Sequence, residues 1–515
     1  MVWLSVLLEA EILSFDNSGG SLRTRNYQTT LLMQPPDYST DVSSIDLSSS
    51  RKPIVLIGAS VRAAAQSAER AGFDVFGVDS FGDVDTRHAC RWFCTLEELE
   101  SLPPETFASL FSIGSLGGSG LGGSGLGSSR MGDTPMGQRG AGGNGAPWMI
   151  AGGDAGDAAE NANGDGQITK FERLRRRLDR FAKRVGADES VYQQLCDPDV
   201  LARIAIRTRT TFPPYRRGDE GAPHRAANTI GHPTQRDVPG QWLSKQLVSS
   251  GGLGVTWAGT PSQQGDPANQ NELLIAAHQM HQLWQPGRSY GVTFLSDGEN
   301  VVMLGVCRSS FTAIGAKRFT YAGSYGPVRL PVAVQRQLQA IGRQAVDQVG
   351  VKGLFNADVL IDDDGGVCLL EINPRWTASM ECIERSLLEA TAGDKADVSL
   401  IGSVMRIDDG KPLHLNQRRV DSMMADAPRF LKRVIFAQQP GVVDGDILDD
   451  IESTYEDKTD ASGFANVWIC DRPSDEEPIR AGDPLVSVVC QQNVRQRLSW
   501  RKTKRLFASL QKAVR

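Results

Sequence analysis

The sequence predicts an α/β (α+β) protein in which a Rossmann-like unit precedes a two-part α/β body and a small β-rich region. Three observations carry this. A strand–helix–strand pattern opens the ordered chain at Lys52. A lysine-bearing strand then runs into a glycine loop, Lys245 to Gly254. Finally, Lys352–Arg375 reads as a hairpin that gathers carboxylates on one face.

Composition sets the frame. A chain of 515 residues implies three or four domains. Hydrophobic residues make up 40% and charged residues 23%, as in ordinary globular proteins. The net charge of −6 gives no global case for nucleic-acid binding. No apolar run approaches the ~20 residues of a membrane span. The eight cysteines are scattered without a C-x-x-C, which points to a reduced cytoplasmic protein. Met1–Ala10 is apolar but has no basic start and runs into Glu9 and Glu11, unlike a signal peptide.

Residues 1–50 are polar and aperiodic and read as a disordered leader. The Rossmann-like domain covers 51–196. Its first strand, Pro53–Ile57, is followed by a helix from Arg62 to Ala71, and Gly72 leads to the strand Phe73–Asp79. Asp79 falls where a ribose-binding acid would, but the glycine pattern is only Gly58-x-Ser60, which favours a domain that binds no dinucleotide. Residues 114–146 are a Gly-rich insertion with Leu-Gly-Gly-Ser-Gly repeated, and Pro147–Ile150 resumes a buried strand. Asn161–Glu172 resembles a Ca²⁺ loop, with oxygen side chains at Asn161, Asn163 and Asp165, Gly166 at the bend and Glu172 at the end. Asn in place of the usual first Asp weakens it, so a loop capping a basic helix, Lys170–Arg184, is the competing reading.

Residues 197–406 form the body, with a smaller part over 197–285 and a larger part over 286–406. Asp197–Thr211 reads as a helix that stops before Phe212-Pro213-Pro214. Gln241–Leu247 is a strand carrying Lys245 into a Ser/Gly loop containing Gly251, Gly252 and Gly254. Glycines let backbone N–H groups approach a phosphate, and the lysine adds a point charge; a plain turn is the alternative. His278 and His281 lie in an extended context and do not read as ligands. Val334, Leu338, Ile341, Ala345 and Val349 put one apolar stripe on a helix. From about Ile407 the pattern changes to short strands and turns up to residue 494, and the basic helix Arg495–Arg515 closes the chain.

The hairpin is the richest stretch. Leu354–Ile361 and Val367–Asn373 flank Asp362-Asp363-Asp364-Gly365-Gly366. A two-residue loop at Asp364-Gly365 pairs Asp358 with Glu371; a slip of two pairs it with Asn373. Either register puts Asp358, Glu371 and Asn373 on one face, because strand side chains alternate. Two carboxylates and an amide oxygen together suit Mg²⁺. Pro374 ends the strand, and Arg375 places a guanidinium beside the metal.

This order of parts resembles the ATP-grasp superfamily, most closely in Phe355-Asn356-Ala357-Asp358 and Glu371-Ile372-Asn373-Pro374-Arg375. Within it the chain looks like predicted ATP-dependent carboligases related to biotin carboxylase, some of them tied to tetrahydromethanopterin-linked one-carbon metabolism. The resemblance implies a pre-ATP-grasp domain, a two-subdomain ATP-grasp fold and a small β-rich C-terminal domain. It implies that Lys245 contacts ATP phosphates under the Gly251, Gly252 and Gly254 loop. Gln282, Leu283 and Trp284 would hold adenine, Asp358, Glu371 and Asn373 would bind Mg²⁺ or Mn²⁺, and Arg375 would steady the phosphoryl group. Departures are Gln246 after the phosphate-strand lysine, Gln282 at the hinge and Ser289 beyond it. The expected activity is a ligase that activates a carboxylate as acylphosphate and joins it to an amine. A carboxylase with a separate biotin carrier and a non-catalytic ATP-binding protein are the alternatives. Partners are then small molecules, neither nucleic acid nor membrane, and a homodimer is compatible with this reading.

Overall fold

The computed structural model describes residues 51–101, 146–151, 170–180, 182–217, 242–246, 251–258, 279–391, 398–456, 464–492 and 500–515. The leader, most of the Gly-rich insertion, residues 161–169 of the Ca²⁺-like loop and His278 lie outside these residues, while Glu172 falls on a helix.

The first layer is a parallel sheet. Strands β1 (Lys52–Ile57), β2 (Phe73–Asp79) and β3 (Trp92–Thr95) alternate with helices α1 (Arg62–Arg70), α2 (Val84–Ala89) and α3 (Leu96–Ser101), and β4 (Trp148–Ile150) completes the order β3-β2-β1-β4. Every pairing in it is parallel. Ile54, Leu56 and Ile57 are wholly buried, as a strand covered on both faces requires.

Helix α4 (Lys170–Leu178) ends six residues before the expected Arg184. Arg184 is instead drawn back onto Asp179 at 2.7 Å and lies over the Trp148 ring at 4.6 Å. Two capped helices follow, α5 (Glu189–Cys196) and α6 (Pro198–Thr208), with Asp188 and Asp197 accepting from Val191 N and Asp199 N. A small sheet comes next: β5 (Tyr215–Arg217), β6 (Trp242–Gln246), β7 (Val255–Trp257) and β8 (Gln279–Leu283), ordered β5-β8-β6-β7.

The central sheet begins with β9 (Arg288–Asp297), β10 (Val301–Ile314) and β11 (Lys317–Gly326). Helix α7 (Val332–Val349) buries the predicted stripe against it, and Gly342 permits the close approach, since a Cβ there would meet Phe294 at 2.4 Å. The hairpin β12 (Lys352–Ile361) and β13 (Val367–Asn373) follows, then α8 (Met380–Ala390) and α9 (Leu400–Asp408). Phe294 and Phe355 stack at 4.8 Å in the core beneath the hairpin.

The region after Ile407 holds more helix than its short apolar runs indicate: α10 (Gln417–Asp426), capped by Asn416, precedes β14 (Phe430–Phe436) and β15 (Gly441–Val442), and α11 (Gly445–Glu456) precedes β16 (Phe464–Cys470). Strands β17 (Pro478–Ile479) and β18 (Pro484–Gln492) and helix α12 (Trp500–Leu510) finish the chain. Strands β14, β18 and β16 extend the central sheet through β11–β14, giving the order β13-β12-β9-β10-β11-β14-β18-β16, while β15 and β17 pair only with each other. Among the described residues no helix is long and apolar enough to cross a membrane.

Candidate active site

The hairpin puts Asp358 opposite Glu371 and Asn356 opposite Asn373. It reaches this register by a different route from a two-residue loop. Pairing closes at Ile361↔Val367, so Asp362–Gly366 form the turn, with Asp362 Oδ1 accepting from Asp364 N and Gly366 N at 3.0 and 2.6 Å. Gly365 supplies a φ of +85°. A bulge between Val359 and Asp358 leaves Leu370 unpaired and restores the count, so both carboxylates stay on one face.

Around them the amides are arranged differently from the all-oxygen set expected. Asn373 Nδ2 donates to Asp358 Oδ2 at 2.9 Å and to Glu371 Oε1 at 3.0 Å. Its oxygen accepts from Arg375 at 3.0 Å. A guanidinium can only donate, so this orientation of the amide is fixed. The amide nitrogen therefore sits between the carboxylates, where a cation would sit, and the metal donors offered directly are Asp358 and Glu371. Asn356, only 1% exposed, donates to Asp358 Oδ1 at 2.8 Å and accepts from Ser379 Oγ at 3.4 Å. Gly291 leaves room for that contact, since a Cβ would come within 3.2 Å of the Asn356 amide. Sequence reasoning gave Asn356 no role, though its place two residues before Asp358 on the same face was the available signal.

The electrostatics match an acid pair short of positive charge. Burial and then the Glu371 charge hold the Asp358 carboxyl well above the usual range. Loss of bulk water also raises Glu371, but the Lys245 ammonium, then hydrogen bonds from Asn373 and Asp358, bring it below the usual range. Lys245 on β6 is lowered by burial, against the pull of Glu371 and Asp358. The lysine of the small sheet and the acids of the central sheet thus face each other. Two hard carboxylates with a cationic partner fit Mg²⁺ or Mn²⁺. Among the described residues no three His, Cys, Asp or Glu side chains cluster around a metal position.

Gly251 and Gly252 take φ of +62° and +74°. Their loop is docked on the β10–β11 hairpin: Tyr321 N donates to Gly251 O at 2.8 Å, and a Cβ on Gly252 would stand 1.8 Å from Phe319 O. Gly254 O accepts from Gln246 N at 3.1 Å, closing the return to β7. Trp257 packs on Phe319 and Trp284 at 5.6 and 6.4 Å. At the end of β8 Gln282 is buried, with its amide nitrogen unpartnered among the described residues, while Trp284 is 40% exposed. Leu283 N already donates to Pro214 O at 2.8 Å, so that amide is not open to a base. Arg375 is buried, with NH1 on Trp376 O at 3.2 Å. Trp376 bridges to Ala151, which brings the end of β4 beside the site.

Asp79 does not stand ready for a ribose. Its carboxylate accepts from Val61 N, Phe81 N and Gly82 N at 3.3, 3.0 and 2.8 Å and is wholly buried. Burial outweighs those bonds and raises its pKa to about 6.

Residues 223–379 match the family model of the ATP-grasp domain. A D-alanine–D-alanine ligase from Pseudoalteromonas translucida is 30% identical over 122 residues, 24% of this chain and 40% of that protein. The chain covers less than half the length of the curated relatives it matches, 10% of the other. Among solved structures, carboxyaminoimidazole ribonucleotide synthase from Aspergillus clavatus complexed with ATP superposes with a TM-score of 0.52 at 12% identity, covering 90% of this chain and 99% of that one. L-amino acid ligase from Bacillus licheniformis gives 0.51 at 12% identity, covering 90% and 98%. The chain has the ATP-grasp fold.

Proposed function

We propose that this protein is an ATP-dependent ligase that activates a substrate carboxylate and joins it to an amine. The observation that carries the reading is the pair Asp358 and Glu371 facing Lys245 across two sheets. Mg²⁺ or Mn²⁺ held by Asp358 and Glu371 would neutralise phosphate charge as the γ-phosphoryl moves. Lys245 and the Gly251–Gly254 loop hold the phosphates from the lid side, over 197–285. Gln282, Leu283 and Trp284 would line the adenine end, with the unpartnered Gln282 amide nitrogen and the part-exposed Trp284 side chain as the contacts offered. Asn373, which donates to both carboxylates and accepts from Arg375, would hold the pair in place for the metal, and Arg375 would face the transferred phosphoryl group. The substrate carboxylate attacks phosphorus to give an acylphosphate and ADP, and the amine then attacks the acyl carbon and displaces phosphate. Closing the lid on 286–406 excludes water from that intermediate.

The eight cysteines are free thiols in the structure, in keeping with a reducing compartment such as the cytoplasm. A role in one-carbon cofactor biosynthesis is the finer reading suggested by the resemblance. The test is ADP release in a screen of carboxylates crossed with amines. Release that needs both substrates supports the ligase; tight Mg-ATP binding without ADP formation from any pair overturns it.

A further inference from the structure

We propose that Asn356 is a positioning residue of the metal seat: its amide fixes the Asp358 carboxylate and ties it, through Ser379, to the segment that carries Arg375. The proposal rests on the ligase reading for what the seat is for, and on the hydrogen bonds around Asp358 for how it is held.

Those bonds close a ring. Asp358 Oδ1 accepts from Asn356 Nδ2 at 2.8 Å, and Oδ2 accepts from Asn373 Nδ2 at 2.9 Å. Behind Asn373 stands Arg375, which donates to its oxygen at 3.0 Å. Behind Asn356 stands Ser379, whose hydroxyl donates to the amide oxygen at 3.4 Å and lies 3.2 Å from Thr377 Oγ1. Arg375, Thr377 and Ser379 belong to one short stretch between β13 and α8, so the chain itself completes the circle. Asp358 is thereby gripped at both oxygens, from two sides, by groups anchored in that stretch.

The chemistry of each member selects an amide at 356. An ionised Asp358 only accepts, so Asn356 turns its nitrogen to the carboxylate and its oxygen to Ser379. Aspartate at 356 would set a like charge against Asp358, and an apolar side chain would take away the donor to Oδ1. Buried amides keep both ends in use, and Asn356 is almost wholly buried. Ser379 shows the arrangement by what it forgoes. It stands at the cap position of α8, where a serine oxygen commonly accepts from the helix, yet it makes no such bond. The sheet also leaves space for the pair. Gly291 on β9 lies opposite Asp358, and a Cβ there would come within 3.1 Å of Ser379 Oγ and 3.2 Å of Asn356 Oδ1. Gly291 is not among the glycines with positive φ, so the contact and not the backbone asks for glycine. Groups that hold a metal-binding side chain in this way typically change metal affinity about 10–100-fold when removed.

The experiment titrates the full chain into the preformed complex of Mn²⁺ with AMP-PNP, a non-hydrolysable ATP analogue, and reads binding from the EPR line shape of the ion. Calorimetry with metal-free AMP-PNP gives the affinity that owes nothing to the metal. Asn356→Ala should weaken the Mn²⁺ complex about tenfold or more and leave metal-free AMP-PNP within about twofold. Gly291→Ala keeps every polar group but presses on Asn356 and Ser379, and should lose a part of the same affinity, about threefold, with the same split. Unchanged Mn²⁺ binding by Asn356→Ala, or an equal loss for both nucleotides, overturns the proposal. If Asn356→Ala shows no cooperative melt, Gly291→Ala decides alone, and binding like wild type overturns the proposal. A wild type that binds both nucleotides equally has no metal seat, and the proposal falls with it. The expected split without ADP formation from any carboxylate and amine would instead end the ligase reading and leave the role of Asn356 standing.

Discussion

Two acid-rich regions of this molecule are built on opposite terms. Around Glu381 each carboxylate has its cation: Arg62, Lys432 and Arg385 converge on Glu381, and Arg62 also holds Asp471. At the hairpin, Asp358 and Glu371 lie side by side with amides between them, and, among the described residues, the cations that act on them form no ion pair with either: Lys245, from another sheet, pulls on Glu371, and Arg375 pulls on both. The first region pulls Glu381 well below the usual range, with Arg62 and Lys432 overcoming burial. The second pushes Asp358 well above it. A completed acid cluster joins parts of the fold; an incomplete one has room for charge that arrives with a ligand.

The largest effect should come from breaking the completed cluster. Glu381→Ala leaves Arg62 buried without its bidentate partner and should cost about 3–5 kcal/mol, read as a lower urea midpoint; an unchanged midpoint would erase the distinction. At the hairpin, Glu371→Gln keeps the shape and removes one metal donor. Turnover should drop by roughly 100–1,000-fold, the scale of losing one electrostatic stabiliser, with an unchanged melting curve. Turnover surviving intact would end the metal assignment.

Gly252→Ala tests how the lysine is brought to the acids. The added Cβ collides with Phe319 O at a φ of +74°, so the lid loop cannot dock as it does here. KM for ATP should rise about tenfold, a change of about 1.4 kcal/mol, with kcat less affected. The smallest effect concerns pH. Glu381 has a depressed folded-state pKa, so its stabilisation is present above the ordinary glutamate range and disappears as pH falls through the folded value. Asp79 behaves oppositely: its raised pKa makes stability decline as pH climbs from 3.8 to about 6. Denaturant unfolding of Asp79→Asn across that interval should be flatter than wild type.

Much of the hairpin was legible because its information is local. Period-two alternation places Asp358, Glu371 and Asn373 on one face in either of the two registers that differ by two residues. What local spacing does not contain is the bulge at Leu370 that corrects a longer turn, or which end of the Asn373 amide points at the acids. The Glu381 cluster was illegible for a plainer reason: Arg62 and Glu381 are 319 residues apart. The helices after Ile407 were missed because α10 and α11 show short, mostly polar faces, and the Asn416 cap of α10 and the packing of both helices on the sheet outweigh pattern.

The joint between β11 and β14 has a mechanical consequence. Because hydrogen bonds run unbroken from β13 to β16, the carboxylates and the C-terminal strands ride on one stiff plank. The lid sheet is a separate ladder, joined to that plank by two chain connections: the Trp284–Gly287 stretch before β9, and residues 209–214 before β5, where Thr211 is pinned to β13 at Val367 and Leu369. Any opening of the lid would have to bend at both, so its tempo would be set by short connectors and not by the sheets that carry the lysine and the acids.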